Sequence, residues 1–217
     1  MDNRYSSQSK DRSHHVERIL RDIHIPISNF SNIIEFGCGN GITLESLTFR
    51  HPFEISVGLD TNLTSEQNER SPVKYIRCDL NQSTPTSCFS FLDPVLYYAL
   101  DVLEHLVNPY RIVQEFEEKA PDGSALIVTV PNFASIRMLY AWAIGYMPRN
   151  EFGFFDHSHL HWLAPEDFAA FDSLVHHEYL YSERSLIGLT QRIWSRRLCS
   201  QFTLVFLKVD SDRRVTS

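Results

Sequence analysis

The sequence predicts an α/β fold in which helices cover both faces of a mostly parallel sheet. Short apolar runs alternate with segments of helical periodicity along the first 130 residues, the order expected of repeated strand and helix units. The first apolar run leads into a loop with three glycines, and a helical pattern follows at once. A length of 217 residues and a hydrophobic content of 43% suffice for a substantial core. We therefore expect one domain over residues 1–217.

The elements are predicted in chain order, beginning with an amphipathic helix over Ser13–Ile23 that Ser13 would cap. A second helix begins at Ile42, and a third follows Asn108-Pro109, a capping pair. Five strands are predicted to alternate with these helices: Asn32–Phe36, Glu54–Leu59, Val73–Arg77, Pro94–Leu100 and Ala125–Val130. Two more strands are predicted near the C-terminus: His176–Tyr181 and Phe202–Val209.

Residues 133–164 have a different character and are predicted to form a lid. An aromatic-rich helix over Phe133–Ile144 is followed by an irregular segment, 145–162, dense in Phe, His, Tyr and Gly. Another helix is predicted to start at Pro165. At the other end of the chain, residues 1–12 are polar and are expected to be flexible.

Charge and hydropathy limit the expected partners. Lys and Arg number 20 against 27 Asp and Glu, so the net charge of −7 provides no general attraction for nucleic acid or an anionic membrane. The apolar stretches fall far short of the roughly 20 residues that span a bilayer, and Met1–Arg12 lacks the apolar segment of a signal peptide. We expect a cytoplasmic protein with a small-molecule partner and no nucleic acid or membrane partner. A homodimer is a further expectation.

The glycine loop is the most informative stretch for function. Gly37, Gly39 and Gly41 follow the first predicted strand, and such a loop lets a ligand approach backbone N–H groups at the start of a helix. Ile42 stands where the dinucleotide fingerprint has its third glycine, which disfavours NAD, and no Gly-Lys-Ser/Thr follows, which excludes a phosphate-binding P-loop.

Two acidic residues are predicted at the carboxyl ends of the next strands. Asp60 could accept hydrogen bonds from ribose hydroxyls, and Asp79 could meet an adenine amine. A single aspartate at a strand end is commonly a turn residue, but two of them in this order behind a glycine loop indicate a nucleoside-like cofactor.

Four motifs resemble those of class I S-adenosylmethionine-dependent methyltransferases: Ile34–Gly41, Gly58-Leu59-Asp60, Cys78-Asp79-Leu80 and Asp101–Leu106. The resemblance implies a Rossmann-like sheet of seven strands with an antiparallel last strand, and a small lid insertion after strand five. It also implies S-adenosylmethionine as methyl donor and S-adenosylhomocysteine as product. The residue roles that it implies are these: Gly37 and Gly39 beside the methionine end of the cofactor, Asp60 on the ribose, Asp79 and Leu80 at the adenine, Glu35 supporting the loop, and the Leu100 backbone near the sulfonium.

A narrower similarity covers the lid. Residues 130–137 and 153–162 resemble methyltransferases related to the methionine-biosynthesis W protein and to the ubiquinone O-methyltransferases, and the match includes His159 and Trp162. A hydroxyl acceptor gains from a base that titrates near neutrality, so His159 is the first candidate, followed by His105. The expected substrate-binding residues are Tyr140, His157, His161 and Trp162.

Three alternatives stay open. Asp101, Glu104 and His105 resemble an acidic and histidine motif implicated in metal binding in ubiquinone O-methyltransferases, although we expect capping or packing roles and no metal. The aromatic residues of the lid, Phe152 and Phe154 included, could line an apolar pocket or pack the lid onto the sheet. The predicted function is methyl transfer to oxygen of a small molecule, with nitrogen as the next acceptor; the alternative is a non-catalytic cofactor-binding partner of another biosynthetic enzyme.

Overall fold

A computed structural model of the protein describes residues 10–64, 67, 72–82, 84–147, 150, 155–171, 175–181 and 199–208. The helices are α1 (Ser13–Asp22), α2 (Ile42–Arg50), α3 (Arg111–Lys119) and α4 (Ile136–Ala143). The strands are β1 (Asn32–Phe36), β2 (Ile55–Asp60), β3 (Val73–Arg77), β4 (Val95–Leu100), β5 (Ala125–Pro131), β6 (Val175–Tyr181) and β7 (Gln201–Leu207). Each predicted strand is present within one or two residues of its expected bounds.

The seven strands form one sheet in the order β3-β2-β1-β4-β5-β7-β6. Strands β1 to β5 pair in parallel, whereas β7 pairs antiparallel with both β5 and β6. The order of the strands reverses at β1: β2 and β3 lie on one side of it, and β4 and β5 lie on the other. A ligand of an open α/β sheet binds at such a switch point, outside the carboxyl ends of the strands. The mostly parallel, Rossmann-like fold is thereby confirmed.

Two apolar clusters occupy the two faces of the sheet, because successive residues of a strand point to opposite sides. In β1, Ile34 belongs to one cluster and Ile33 to the other. The first cluster is covered by α3, whose Phe116 is fully buried. The second is covered by α1 and α2 through side chains such as Ile19 and Leu44. The continuous apolar character of the strands therefore follows from helices on both faces.

The start of α1 differs from the expectation. Ser13 is not the cap: it lies buried in the first turn, and its N–H donates to the Asp11 carboxylate at 2.9 Å. Residues 10–12, which fall in the stretch expected to be flexible, have defined contacts, since the Arg12 N–H donates to Thr43 Oγ1 at 3.1 Å. This places the first described residues directly over the glycine loop and α2. Residues 1–9 lie outside the described part of the chain.

The lid contains less helix than expected. Helix α4 is shorter than the predicted span, and Pro165–Phe168 forms one 3-10 turn. Phe133 stays outside the helix and is buried. Phe152 and Phe154 lie outside the described residues. Within the described ranges, every helix is too short or too polar to cross a bilayer.

Candidate active site

The glycine loop has a backbone that only glycine adopts without strain. Gly37 and Gly41 have φ of +68° and +80°, in the left-handed region. A Cβ on Gly37 would lie 2.5 Å from Val102 Cγ2, and one on Gly41 would lie 2.0 Å from the Tyr75 hydroxyl. The loop is therefore packed against the middle of β3 and the residues that follow β4, with Gly41 immediately before α2. Both conformation and space explain why this turn requires glycine.

Asp60, at the end of β2, holds the glycine loop. The Gly39 N–H donates to its Oδ2 at 2.8 Å, and the Asn62 N–H donates to its Oδ1 at 2.8 Å. Each carboxylate oxygen can accept a second hydrogen bond, so these contacts leave capacity for ligand hydroxyls. Asp60 thus has a structural role in addition to the ligand role that its position predicts.

Asp79 and Leu80 are engaged in the protein itself. The Asp79 carboxylate accepts the Asn81 N–H at 2.9 Å and the Gln82 side-chain amide at 3.0 Å. Leu80 is buried in the core. Their roles at an adenine ring stay predictions.

A cavity of about 820 Å³ lies between the glycine loop and the start of α1. Four of the predicted cofactor residues line it: Glu35, Gly37, Gly39 and Leu100. Asp60, Asp79 and Leu80 are absent from its described wall. Residues that sequence reasoning did not single out complete the wall, among them Arg12, His15, Thr43 and Gln201.

The N-terminal segment contributes charge to this cavity. Arg12 Nη1 lies 2.8 Å from Asp101 Oδ2, and the Gln201 side-chain amide donates to both oxygens of Asp101 at 3.0 and 3.1 Å. Burial, with the positive charges of Arg12 and Arg18, lowers the pKa of His15 to about 4, so its imidazole is neutral at physiological pH. These residues come from three distant parts of the chain and share no local motif.

Glu35 is a buried carboxyl group at the cavity. It is 5% exposed, and its Oε2 has no hydrogen-bond partner among the described residues. Burial raises the pKa of Glu35 to about 8, and the neighbouring Tyr98 hydroxyl and Arg12 charge offset only part of that effect. The carboxyl group is therefore mainly protonated at neutral pH, until a cation approaches it.

A second buried carboxyl group lies beside two histidines. Glu104 is 1% exposed, and neither of its carboxylate oxygens has a hydrogen-bond partner within the described chain. His159 Nε2 lies 3.9 Å from Glu104 Oε1, and the rings of His105 and His159 are 4.8 Å apart at 63°. Burial, reinforced by the charge of Asp101, raises the pKa of Glu104 well above its usual range. We call Glu104, His105 and His159 the Glu-His cluster.

The Glu-His cluster could hold a metal ion, although the sequence leads us to expect none. One ligand atom from each of the three side chains lies within 4.8 Å of the others. Ser158 Oγ lies 3.0 Å from His105 Nδ1 and donates to Asp156 at 2.6 Å, which orients the imidazole from its far side. Asp101, the first residue of the metal-like motif, is paired with Arg12 instead, and His159 takes its place in the set.

The predicted substrate residues have contacts of their own or are exposed. His157 Nδ1 contacts the Asn150 carbonyl at 3.2 Å, and His161 Nε2 contacts the Val107 carbonyl at 3.2 Å. Trp162 stacks on Phe133 at 5.9 Å and 15°. Tyr140 is 67% exposed on α4. Of the four candidate histidines, the structure brings His105 and His159 together, while His157 and His161 contact loop carbonyls.

Comparison with known proteins identifies the family. The family described as methyltransferase domain matches residues 10–171. No curated protein sequence matches the chain. The small RNA methyltransferase HEN1 has a similar fold, with a TM-score of 0.60 and 16% identity over 92% of this chain and 25% of that one. A SAM-dependent methyltransferase from Archaeoglobus fulgidus has a TM-score of 0.58 and 17% identity over 94% of this chain and 99% of that one. The plantazolicin methyltransferase BpumL, solved with SAH, has a TM-score of 0.62 and 12% identity over 95% of this chain and 89% of that one. The chain thus spans a quarter of the HEN1 structure.

These structures share the fold at identities too low to transfer a substrate. The family match, in contrast, covers most of the sequence and includes the glycine loop, both strand-end aspartates and the Glu-His cluster. The chain belongs to the methyltransferase domain family.

Proposed function

We propose that this methyltransferase moves the methyl group of S-adenosylmethionine to an oxygen atom of a small hydroxylated acceptor. The observation that carries the choice of oxygen is Glu104, a buried carboxyl group without hydrogen bonds in the described residues and next to two imidazoles. Such a cluster can accept a proton, and a hydroxyl acceptor must lose its proton when it is methylated.

The cavity at the glycine loop suits the methionine part of the donor. That part carries an ammonium and a carboxylate, and the cavity wall supplies a carboxyl group from Glu35 and a guanidinium from Arg12. A ligand ammonium beside Glu35 would favour its ionised form and release its proton. Asp60, with lone pairs to spare, accepts the ribose hydroxyls. The related structure of BpumL, solved with SAH, supports a donor of this class.

The Glu-His cluster lies close to this cavity. The charges of Asp101 and Arg12, both in the cavity wall, act on Glu104. In the proposed step, the acceptor oxygen attacks the sulfonium methyl carbon in line with the breaking carbon–sulfur bond, while the hydroxyl proton passes to His159. The products are the methyl ether, neutral S-adenosylhomocysteine and a protonated imidazole, to which the neighbouring Glu104 carboxyl group offers an acceptor oxygen.

A divalent cation is a second way to lower the pKa of the acceptor hydroxyl. Two imidazoles and one carboxylate are ligands typical of first-row transition ions. When bound, the ion would act as a Lewis acid on the acceptor oxygen. Titration of EDTA-treated protein with Mn²⁺, followed by calorimetry, tests this role without any acceptor. Loss of Mn²⁺ binding in Glu104→Gln would assign the cluster as ligands, whereas absence of binding by the wild type would leave His159 as the base.

The methyl donor is tested by calorimetric titration with S-adenosylmethionine, S-adenosylhomocysteine and, as a control, NAD. We expect both sulfur ligands to bind and NAD not to bind. Asp60→Asn should weaken the binding, because it removes charge and an acceptor from the ribose site. Asp93→Asn, which removes the same charge at an exposed position, should have no effect. Absence of binding by folded wild-type protein would refute the proposal.

The acceptor is tested by S-adenosylhomocysteine release with phenols, catechols and sugars, their amine analogues, and a short single-stranded RNA. Turnover with hydroxyl compounds that falls strongly in His159→Ala, at unchanged donor affinity, supports the proposal. Turnover with RNA would contradict the expectation of no nucleic-acid partner, which stays a prediction because HEN1 is a small RNA methyltransferase. Donor binding without turnover on any compound would favour the alternative, a non-catalytic partner of another enzyme.

A further inference from the structure

Exposed apolar side chains are concentrated in one part of the surface. Fourteen large hydrophobic side chains are exposed among the described residues, and nine of them belong to 136–147 and 160–162. The two segments are in contact, because the rings of Trp142 and Trp162 are 5.6 Å apart. We call these nine residues the apolar face: Ile136, Leu139, Tyr140, Trp142, Ile144, Tyr146, Met147, Leu160 and Trp162. A cluster of exposed apolar side chains is typical of an interaction site, whereas single exposed apolar residues are common on any protein surface.

Helix α4 has apolar residues on its outer side as well as its inner side. Met138 and Ala141 are buried, whereas Ile136, Leu139 and Tyr140, which share the opposite side at spacings of three and four residues, are 48%, 42% and 67% exposed. A surface helix of a globular protein normally carries polar residues there. Arg137 is the only charged residue in 133–147, in a chain of which 22% is charged. The outer side of α4 is therefore apolar as well as exposed.

The composition and shape of the apolar face fit a lipid surface. Tryptophan and tyrosine are enriched where proteins meet the membrane–water interface, and aliphatic side chains beside them enter the acyl boundary. The side chains protrude: Ile144 and Tyr146 are 59% and 58% exposed, and the space beside Gly145 is open. A protruding face suits a deformable lipid surface better than a rigid protein surface, which must supply a matching groove.

The apolar face is continuous with the Glu-His cluster. The Phe133 ring lies 5.9 Å from Trp162 and 6.3 Å from His159, so one ring connects the exposed face to the candidate base. His159 is therefore one aromatic ring away from the apolar face. Delivery of an acceptor from the lipid to His159 rests on the proposed function, whereas lipid contact itself does not.

We propose that the apolar face docks this methyltransferase on a lipid surface, where it takes an acceptor with an apolar body; this departs from the expectation of no membrane partner, which considered anionic membranes and spanning segments only. No described helix could span a bilayer, so α4 would lie along the surface. The net charge of −7, with Arg137 as the single charged residue within 133–147, favours uncharged lipid and apolar contact, with little dependence on salt.

The test is flotation of the full-length protein with vesicles of pure phosphatidylcholine. We expect the wild type to float at low and high salt. The partition coefficient of Ile136→Ser/Leu139→Ser onto the vesicles should be lower by about tenfold or more. Phe49→Ser/Leu92→Ser is the matched control, because these side chains are 92% and 96% exposed outside the apolar face. The control should float like the wild type.

Three results would overturn the proposal: no flotation of the wild type, equal loss in both double variants, or a dimer in light scattering that the face variant dissociates while no vesicle is bound. The last result would assign the face to a second copy of the chain. Calorimetry with S-adenosylhomocysteine on the same preparations separates the two proposals, because the face variant should bind it like the wild type. Flotation without binding of S-adenosylhomocysteine would refute the proposed methyl donor but would support docking on a lipid surface.

Discussion

Replacing Glu35 with glutamine should stabilise the unliganded protein, increasingly so as the pH rises. Burial raises the pKa of Glu35 to about 8 from its ordinary value of 4.5. Below pH 4.5 both the folded and the unfolded chain hold the proton, so this group adds no pH dependence there. Between pH 4.5 and 8 the unfolded chain releases the proton while the folded protein retains it, and stability falls as the pH rises. Glutamine is neutral in both states and does not incur this loss.

The magnitude follows from the size of the shift. One pKa unit corresponds to about 1.4 kcal/mol, so the penalty at pH 7 is roughly 3 kcal/mol and at pH 5 is below about 1 kcal/mol. Glu35 is 5% exposed, and solvent screening therefore reduces this figure little. A penalty of this size is a large part of the stability of a typical domain.

Urea unfolding of wild type and Glu35→Gln at pH 5, 6, 7 and 8, without methyl donor, measures the effect. The stability difference should grow with pH in favour of the variant. Glu118→Gln, an exposed position on α3, should show no such trend. A difference that is constant with pH, or a variant that is less stable than the wild type at pH 8, would show that Glu35 is not held neutral in the folded protein.

Three further predictions concern the cavity and the glycine loop beside it. Binding of S-adenosylmethionine should release up to one proton near pH 7, seen as a dependence of calorimetric enthalpy on the buffer, and Glu35→Gln should abolish the release. Gly41→Ala should destabilise the protein by about 3 kcal/mol or more in urea unfolding, since it adds a 2.0 Å contact to an unfavourable φ of +80°, whereas Gly145→Ala, at +69° and without neighbours, should cost only about 1 kcal/mol. Arg12→Met should weaken S-adenosylhomocysteine binding about tenfold, as measured by calorimetry, and Lys119→Met should leave it unchanged.

The strands and the glycine loop are predictable from the sequence because their signals are local. A buried parallel strand requires a continuous apolar run, and the residue after it must lie at the carboxyl edge of the sheet. Asp60 and Gly39 are therefore placed near each other by two short patterns, and the structure joins them at 2.8 Å. The single sheet of seven strands with an antiparallel last strand comes from family resemblance, since apolar runs alone do not specify which strands are neighbours.

Contacts between distant segments leave no comparable signal. Arg12 lies 89 residues before Asp101, and its position in a polar N-terminal segment resembles that of any solvated arginine. The Glu-His cluster likewise joins a turn after β4 to the lid, and the spacing between Glu104 and His159 depends on the path of an irregular segment. Histidine is common in both functional and structural positions. The family resemblance singles out His159, and packing places it beside Glu104, whereas His157 contacts a loop carbonyl.

The motif Asp101-x-x-Glu104-His105 shows how a local pattern can combine two functions. Asp101 has a φ of +57° and is turned towards Arg12 and Gln201, in the cavity wall, whereas Glu104 and His105 occupy the next turn and contact the lid. Two amide substitutions should therefore affect different steps, one the binding of the donor and the other turnover. Asp101→Asn, which asparagine tolerates at positive φ, should weaken donor binding because Arg12 loses its partner, and should leave Mn²⁺ titration unchanged.

Glu104→Gln should leave donor binding unchanged and lower turnover, because it removes the ionisable carboxyl group from the Glu-His cluster while keeping its shape. The distinction is measurable as a change in the dissociation constant of S-adenosylhomocysteine for one variant and in kcat for the other. If both substitutions reduced donor affinity to the same degree, the motif would act as one unit at the cavity, and the separate assignment of Asp101 to the donor and Glu104 to the acceptor would be wrong.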